Sequence, residues 1–253
     1  YFGLQQSIEQ NWWYQALSLD GTIHKPGISG GDDSLQASSN SYGMTEVYEG
    51  GWDEWSRVMT YLNRINPYTS FILSAGNVSM YGTATTPAAV TAIQVGASGQ
   101  YGSSGIFEPL ASLQQMTAGD TAGYSTRGPS RNNQLVPHIT ANGAWGTGAL
   151  GLNEWGDGWT AWDLWGGTSR SGPVAMGALT LVLDAWEDAT LGEWPDWYQM
   201  RQTLMQGANH IYNDPMTGGT GYLDAGRAAL IAGGDHGALV SPDYWDVGDY
   251  QGV

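Results

Sequence analysis

The 253-residue chain contains no cysteine. Disulfides, thiolate metal sites and a cysteine nucleophile are thereby excluded, and at this length an apolar core carries stability without cross-links. Basic side chains are scarce too: 8 Lys and Arg stand against 24 Asp and Glu, a formal net charge of -16. No basic stripe exists to neutralise phosphates, which argues against nucleic acid and against an anionic membrane surface. Charged residues total only 13%, about half the usual ~25%. No apolar run reaches the ~18 residues of a membrane span. The opening YFGLQQSIEQ lacks the basic start and apolar segment of a signal peptide. A start at Tyr1 without Met reads as the product of processing, and the acidic balance suits an extracellular or cell-surface setting.

What is abundant is glycine (38) and tryptophan (13), within a composition that is 41% apolar. Residues 1–37 show little periodicity, and KPGISGGDD has the Gly, Pro and Asp content of a loop. Asp53 to Ile65 places Trp55, Val58, Met59, Leu62 and Ile65 on one helical face, and Asn66-Pro67 ends it. SFILSAGN and VTAIQVGAS (Val90 to Ser98) read as strands buried on both faces. Helix, buried strand, loop and buried strand form the alternation of an α/β domain with a parallel sheet. PDWYQMRQTLMQG (Pro195 to Gly207) reads as an amphipathic helix. The acidic, aromatic tail reads as an exposed extension. No repeat or linker divides the chain, so one domain is expected over 38–232, flanked by a loop-rich 1–37 and the extension 233–253.

The stretch GGTSRSGPVAMGALTLVL (Gly166 to Leu183) carries the chemistry. From Val174 to Leu183 only Thr180 is polar, so a helix buried all round is expected, with Pro173 near its first turn. Ser169 then lies at the helix N-terminus, where free N–H groups and the helix dipole favour developing negative charge. On these residues alone, Thr168 or Ser169 either caps the helix or serves a reacting oxyanion.

GTSRSGP resembles the nucleophile motif of the subtilisin-like serine proteases, the subtilases. Further matches follow in family order: SAGN (Ser74 to Asn77), YSTRGPSRNNQLVPHITANG (Tyr124 to Gly143) and GTGYLDAGRAAL (Gly219 to Leu230). The resemblance spans roughly Ser38 to Leu230 and implies a three-layer α/β sandwich with a mostly parallel central sheet. It implies that Ser169 is the nucleophile and that Asn77 donates to the oxyanion. Ser39, Asn40, Ser41, Tyr42 and Gly43 would line the cleft as an edge for the substrate backbone. Ser74, Ala75 and Gly76 would wall the pocket for the residue before the cut, with Thr168 beside them and Gly82 and Thr83 near the floor. Asn77 also separates the chain from the sedolisins, which place Asp there and use Glu as base. Two residues depart from the pattern. His138 stands where the family has Asp, and Arg170 follows the nucleophile where a small or apolar residue is common, suggesting an acidic partner for it.

The family's base is absent. Neither the Asp motif nor the His motif occurs upstream of Asn77: His24, in GTIHKP, does not match the His motif, and His138, His210 and His236 lie after Asn77, in the wrong order. The resemblance therefore implies that a second polypeptide, an N-terminal fragment of the same protease, supplies Asp and His and completes the sheet. Two alternatives remain: a catalytically inactive subtilase-like subunit with a structural or binding role, and a secreted domain binding carbohydrate through WGDGWTAWDLW with Glu154, Asp157 or Asp163. No metal motif stands out and no cofactor is required. Structural calcium, common in the family, would draw on Asp32, Asp33, Asp157 or Asp214.

Overall fold

The computed structural model describes residues 36–43, 53–65, 67–79, 81, 89–99, 119–130, 133–144, 146–149, 162–210 and 214–235. Four short strands, β1 (Ala37–Asn40), β2 (Ser70–Ser74), β3 (Ile93–Ser98) and β4 (Ile139–Asn142), pair in sequence order, all parallel. Between β1 and β2 runs helix α1 (Glu54–Ile65). Asp53 caps it, accepting from the Ser56 amide at 2.8 Å and from the Ser56 hydroxyl at 2.6 Å. A separate antiparallel pair joins β5 (Gly146–Ala149) to β6 (Trp162–Trp165). Helices α2 (Thr168–Thr190), α3 (Trp197–Gly207), α4 (Pro215–Gly218) and α5 (Ala225–Ala232) follow.

Both faces of the sheet are covered, which is why β2 reads as an unbroken apolar run. Phe71 and Leu73 point to one side, where Trp55, Met59 and Leu62 of α1 meet them with Ala89 and Ala92. Ile72, Ile93, Val95 and Ile139 point to the other, against Ala175, Leu179 and Val182 of α2, Met200 and Leu204 of α3, and Ala228 of α5. The result is the expected α/β sandwich of helix, parallel sheet and helices. Beyond β4, Tyr222 bridges Thr140 in parallel and Asn209 in antiparallel, extending that edge.

Several elements differ from expectation. The second buried strand begins at Ile93, because residues 90–92 form a turn and Val90 is exposed. Pro195 precedes α3, whose true cap is Asp196 in a reciprocal capping box with Gln199. Helix α2 is not buried all round. Its buried residues Thr168, Ser171, Gly172, Ala175, Ala178, Leu179 and Val182 form one stripe at helical spacing. On the opposite face Val174 and Leu181 are exposed, Leu181 by 55%, so apolarity there does not report packing against the sheet. The tail 236–253, most of the N-terminal segment and residues 150–161 of the Trp-rich stretch lie outside the described residues. No helix among the described residues is long and apolar enough to cross a membrane.

Candidate active site

Parallel pairing brings the carboxyl ends of β1, β2 and β3 to one rim, the usual place for a site in an open α/β sheet. The N-terminus of α2 arrives at the same rim. Gly167 is its N-cap, with φ 131° and no side-chain capping bond, so neither Thr168 nor Ser169 serves as the cap. Only glycine takes that backbone conformation without strain. Its amide donates to the Gly143 carbonyl at 2.7 Å and to the Tyr124 hydroxyl at 3.0 Å, and that hydroxyl in turn donates to the Gly143 carbonyl.

Thr168, 1% exposed, holds the neighbouring parts together. Its backbone amide and its hydroxyl both donate to Asn77 Oδ1 at 2.9 Å, and the hydroxyl accepts from the Gly76 amide at 3.1 Å. Two donors on Oδ1 fix which end of the carboxamide faces inward. Asn77 Nδ2 and the Ser169 amide have no acceptor among the described residues. A β-carbon on Gly167 would sit 3.4 Å from Asn77 Nδ2 and 3.7 Å from both the Ser169 amide nitrogen and Asn77 Oδ1, the last already taken by two Thr168 donors. The missing side chain thus leaves open a point flanked by two N–H donors at the positive end of a 23-residue helix.

Ser169 is half-buried beside that point. Its hydroxyl donates to the Ser41 carbonyl at 3.4 Å, a long and weak bond. Pro173 lies in the second turn rather than the first. Lacking an N–H, it leaves the Ser169 carbonyl without its helical donor, and the Ser41 hydroxyl donates there instead at 3.1 Å. Ser74 closes the set, donating to the Thr168 carbonyl at 2.9 Å and to Ser41 Oγ at 3.3 Å.

The sequence-expected residues thus gather in part. Ser39, Ser41, Tyr42 and Gly43 are exposed along the end of β1, whereas Asn40 is buried. Its amide donates to Ser38 and to the Ile72 carbonyl, and its Oδ1 accepts from Tyr42. Ser74, Ala75 and Gly76 are buried, and Thr168 orients Asn77 from beneath. Gly82 and Thr83 lie outside the described residues. Tyr124, inside a stretch that already resembled the family, was given no role on sequence. Its clue was the position just before Ser-Thr-Arg-Gly-Pro, in a loop whose Tyr124 carbonyl, Thr126 hydroxyl and Thr126 amide bond Ser79, Val78 and Gly76 respectively.

Arg170 has no acidic partner among the described residues, contrary to expectation. It donates to Asn142 Oδ1 at 3.2 Å and to the Ala144 carbonyl, and a β-carbon on Gly146 would fall 2.1 Å from its guanidinium. The cation therefore folds over the start of β5.

Neither described histidine faces Ser169. His138 is buried at the amino end of β4, separated from the rim by about 13 Å of strand. Burial, with the Arg201 charge second, lowers its pKa from 6.5 to about 3, and its neutral Nδ1 accepts from the Gln94 amide at 2.8 Å. His210 is exposed beside Gly221, beyond the outer edge of β4. His24 and His236 lie outside the described residues. Among the calcium candidates Asp214 is the one described. It caps α4 through Met216 and Thr217, with Tyr81 also donating, and these bonds lower its pKa. No cluster of metal-binding side chains occurs among the described residues.

The subtilase family model matches residues 5–229. The chain belongs to the subtilase family. This subtilase resembles several solved structures. The self-cleaved protease domain of PatA superposes with a TM-score of 0.56 at 24% identity, over 79% of this chain and 62% of its own. The prenylagaramide maturation protease PagA gives 0.56 at 20% identity, over 77% and 61%. The PatG macrocyclase in complex with peptide gives 0.58 at 15% identity, over 90% and 55%. At these identities the likeness concerns the fold, and this subtilase spans about three-fifths of the PatA and PagA chains. No curated protein sequence matches it.

Proposed function

We propose that the chain is the nucleophile-bearing part of a serine endopeptidase, with Ser169 as nucleophile. The observation that supports this most is the open point beside Gly167, flanked by Asn77 Nδ2 and the Ser169 amide. A scissile carbonyl oxygen placed there would gain two donors as it becomes an oxyanion, the largest electrostatic aid to acyl transfer. Ser169 Oγ attacks the carbonyl carbon, its proton passes to a base, and the tetrahedral species expels the amine, which takes that proton. Water then hydrolyses the acyl-enzyme by the same route. The exposed Ser39, Ser41, Tyr42 and Gly43 would run beside the peptide backbone of the substrate.

The base comes from outside these residues in this reading. His138 is neutral, buried and remote, and His210 lies beyond the other edge of the sheet. We assign Asp and His to a separate N-terminal chain of the same protease, in an extracellular or cell-surface setting that suits a charge of -16. Labelling with a fluorophosphonate in the native assembly tests the reading: the adduct is expected on Ser169 and absent in Ser169→Ala. An assembly that leaves Ser169 unmodified would support the second reading, an inactive subtilase-like subunit. The position of Arg170 beside the nucleophile is the observation in that reading's favour.

A further inference from the structure

Cations are scarce in this chain, and several of those described are engaged. Arg127 lies over the Tyr81 ring at 5.1 Å, Arg170 donates to Asn142 and Ala144, and Arg201 donates to the Val90 carbonyl. Helix α1 is different. The guanidinium groups of Arg57 and Arg64 make no hydrogen bond or ion pair among the described residues. Arg57, Tyr61 and Arg64 recur at spacings of four and three, which puts them on one helix face, and all three are exposed. Tyr68 stands exposed in the turn beyond. Tyr61 and Tyr68 are open by 53% and 51%, so this face presents two rings as well as two cations. Seven residues separate the arginines, about 10.5 Å along the helix.

One segment of the chain has the complementary chemistry. After Pro242, Asp recurs at 243, 246 and 249, with Tyr244, Val247 and Tyr250 one place behind, and 236–253 holds no Lys or Arg. In polyproline-II geometry, which Pro242 favours, residues three apart share a face about 9 Å apart. One face is then acidic and the next apolar, and the acid spacing matches the arginine spacing. We propose that residues 242–250 dock along α1, with Asp246 on Arg64, Asp249 on Arg57, and Tyr244 and Val247 against Tyr68 and Tyr61. Topology supplies the path. Helix α1 joins parallel β1 to β2 and so runs back to the amino end of the sheet, carrying Arg64 and Tyr68 there. Tyr222 pairs in parallel with Thr140, so α5, which follows it and packs on α2, runs back to the same end and leaves Asp235 there. The two helix layers already meet at that end, where the Trp197 amide donates to the Pro67 carbonyl at 2.8 Å. From Asp235 to Asp246 the chain reaches up to about 34 Å, against ~20 Å between helix layers on opposite faces of one sheet. A tether of that length holds the segment at high effective concentration, which favours its own α1 over that of a second copy.

Photocrosslinking of the full chain in its native form tests this, with p-benzoylphenylalanine replacing Tyr61. The expected adduct joins α1 to residues 242–250 at the mass of a single protomer. Its yield should fall about tenfold in 1 M salt, where charges are screened beyond about 3 Å, and equally in an Arg57→Asp/Arg64→Asp variant. Adding Asp246→Arg/Asp249→Arg to that variant should restore the yield, which a variant that merely failed to fold would not do. The inference is overturned by a crosslink to other residues, to a second copy or to another protein, and equally by the absence of any crosslink. A yield indifferent to salt and to the arginines, or a charge swap that restores nothing, also overturns it. Either way the reading of Ser169 stands apart, since Arg64 and Tyr68 lie at the other end of the sheet from the rim.

Discussion

The Thr168 hydroxyl accepts from the Gly76 amide and donates to Asn77 Oδ1, so Thr168→Val removes both bonds while keeping the shape. An unpartnered buried amide then costs about 1–3 kcal/mol, measurable as a lower urea midpoint. Asn77 also loses one of the two donors that orient it. On the proposed reading, Asn77→Ala should slow phosphonate labelling of Ser169 in the native protein by ~10²–10³, and Thr168→Val should fall between that variant and the parent. Equal rates for all three would show that Asn77 does not serve the oxyanion. His138 makes a different prediction. Its folded pKa of about 3 lies below the ordinary 6.5, so between these values the unfolded chain binds the extra proton. Stability from its burial is full above pH 6.5 and declines as pH falls towards 3, by about 1.4 kcal/mol per unit inside that window. His138→Asn, able to accept from the Gln94 amide, should flatten that part of the urea-midpoint profile. An unchanged slope would place the acid sensitivity elsewhere.

At the scale of elements, α2 separates what the sequence reveals from what it hides. Its start, its buried stripe and the serine at its mouth are legible because Gly-Thr-Ser, Pro173 and the 3.6-residue period each have a local cause. The exposed face is not legible: Val174 and Leu181 are as apolar as Leu179, and hydrophobicity does not say against what a side chain packs. Substitution distinguishes them. Leu179→Ala, at a fully buried position, should cost the chain about 2–5 kcal/mol. Leu181→Ser should cost less than about 0.5 kcal/mol in the isolated chain, and similar losses from both would contradict one-sided burial. The same distinction holds for strands. β2 was legible as buried on both faces because its run is unbroken, while the start of β3 was not, since Val90 to Ala92 looks like strand but turns. Arg170 shows the limit for contacts, because its partners Asn142 and Ala144 lie 28 and 26 residues away and no local pattern announces them.

For the whole molecule, the parallel order of β1 to β4 converts separated motifs into one rim. Ser41, the Ser74–Asn77 segment and Ser169 are distant in sequence yet joined by hydrogen bonds through Thr168 and Ser41. The order of the motifs anticipated this gathering, whereas the orienting role of Thr168 and the bridge at Tyr124 required coordinates. Among the described residues no base stands at the rim, and both described histidines lie away from it. The most direct test compares fluorophosphonate labelling of the native assembly with that of this chain purified alone. The account predicts an adduct on Ser169 in the assembly and labelling slower by roughly 10⁶-fold in the chain alone, the scale of losing a triad base. Equal labelling rates in the two, or an adduct on any other residue, would contradict it.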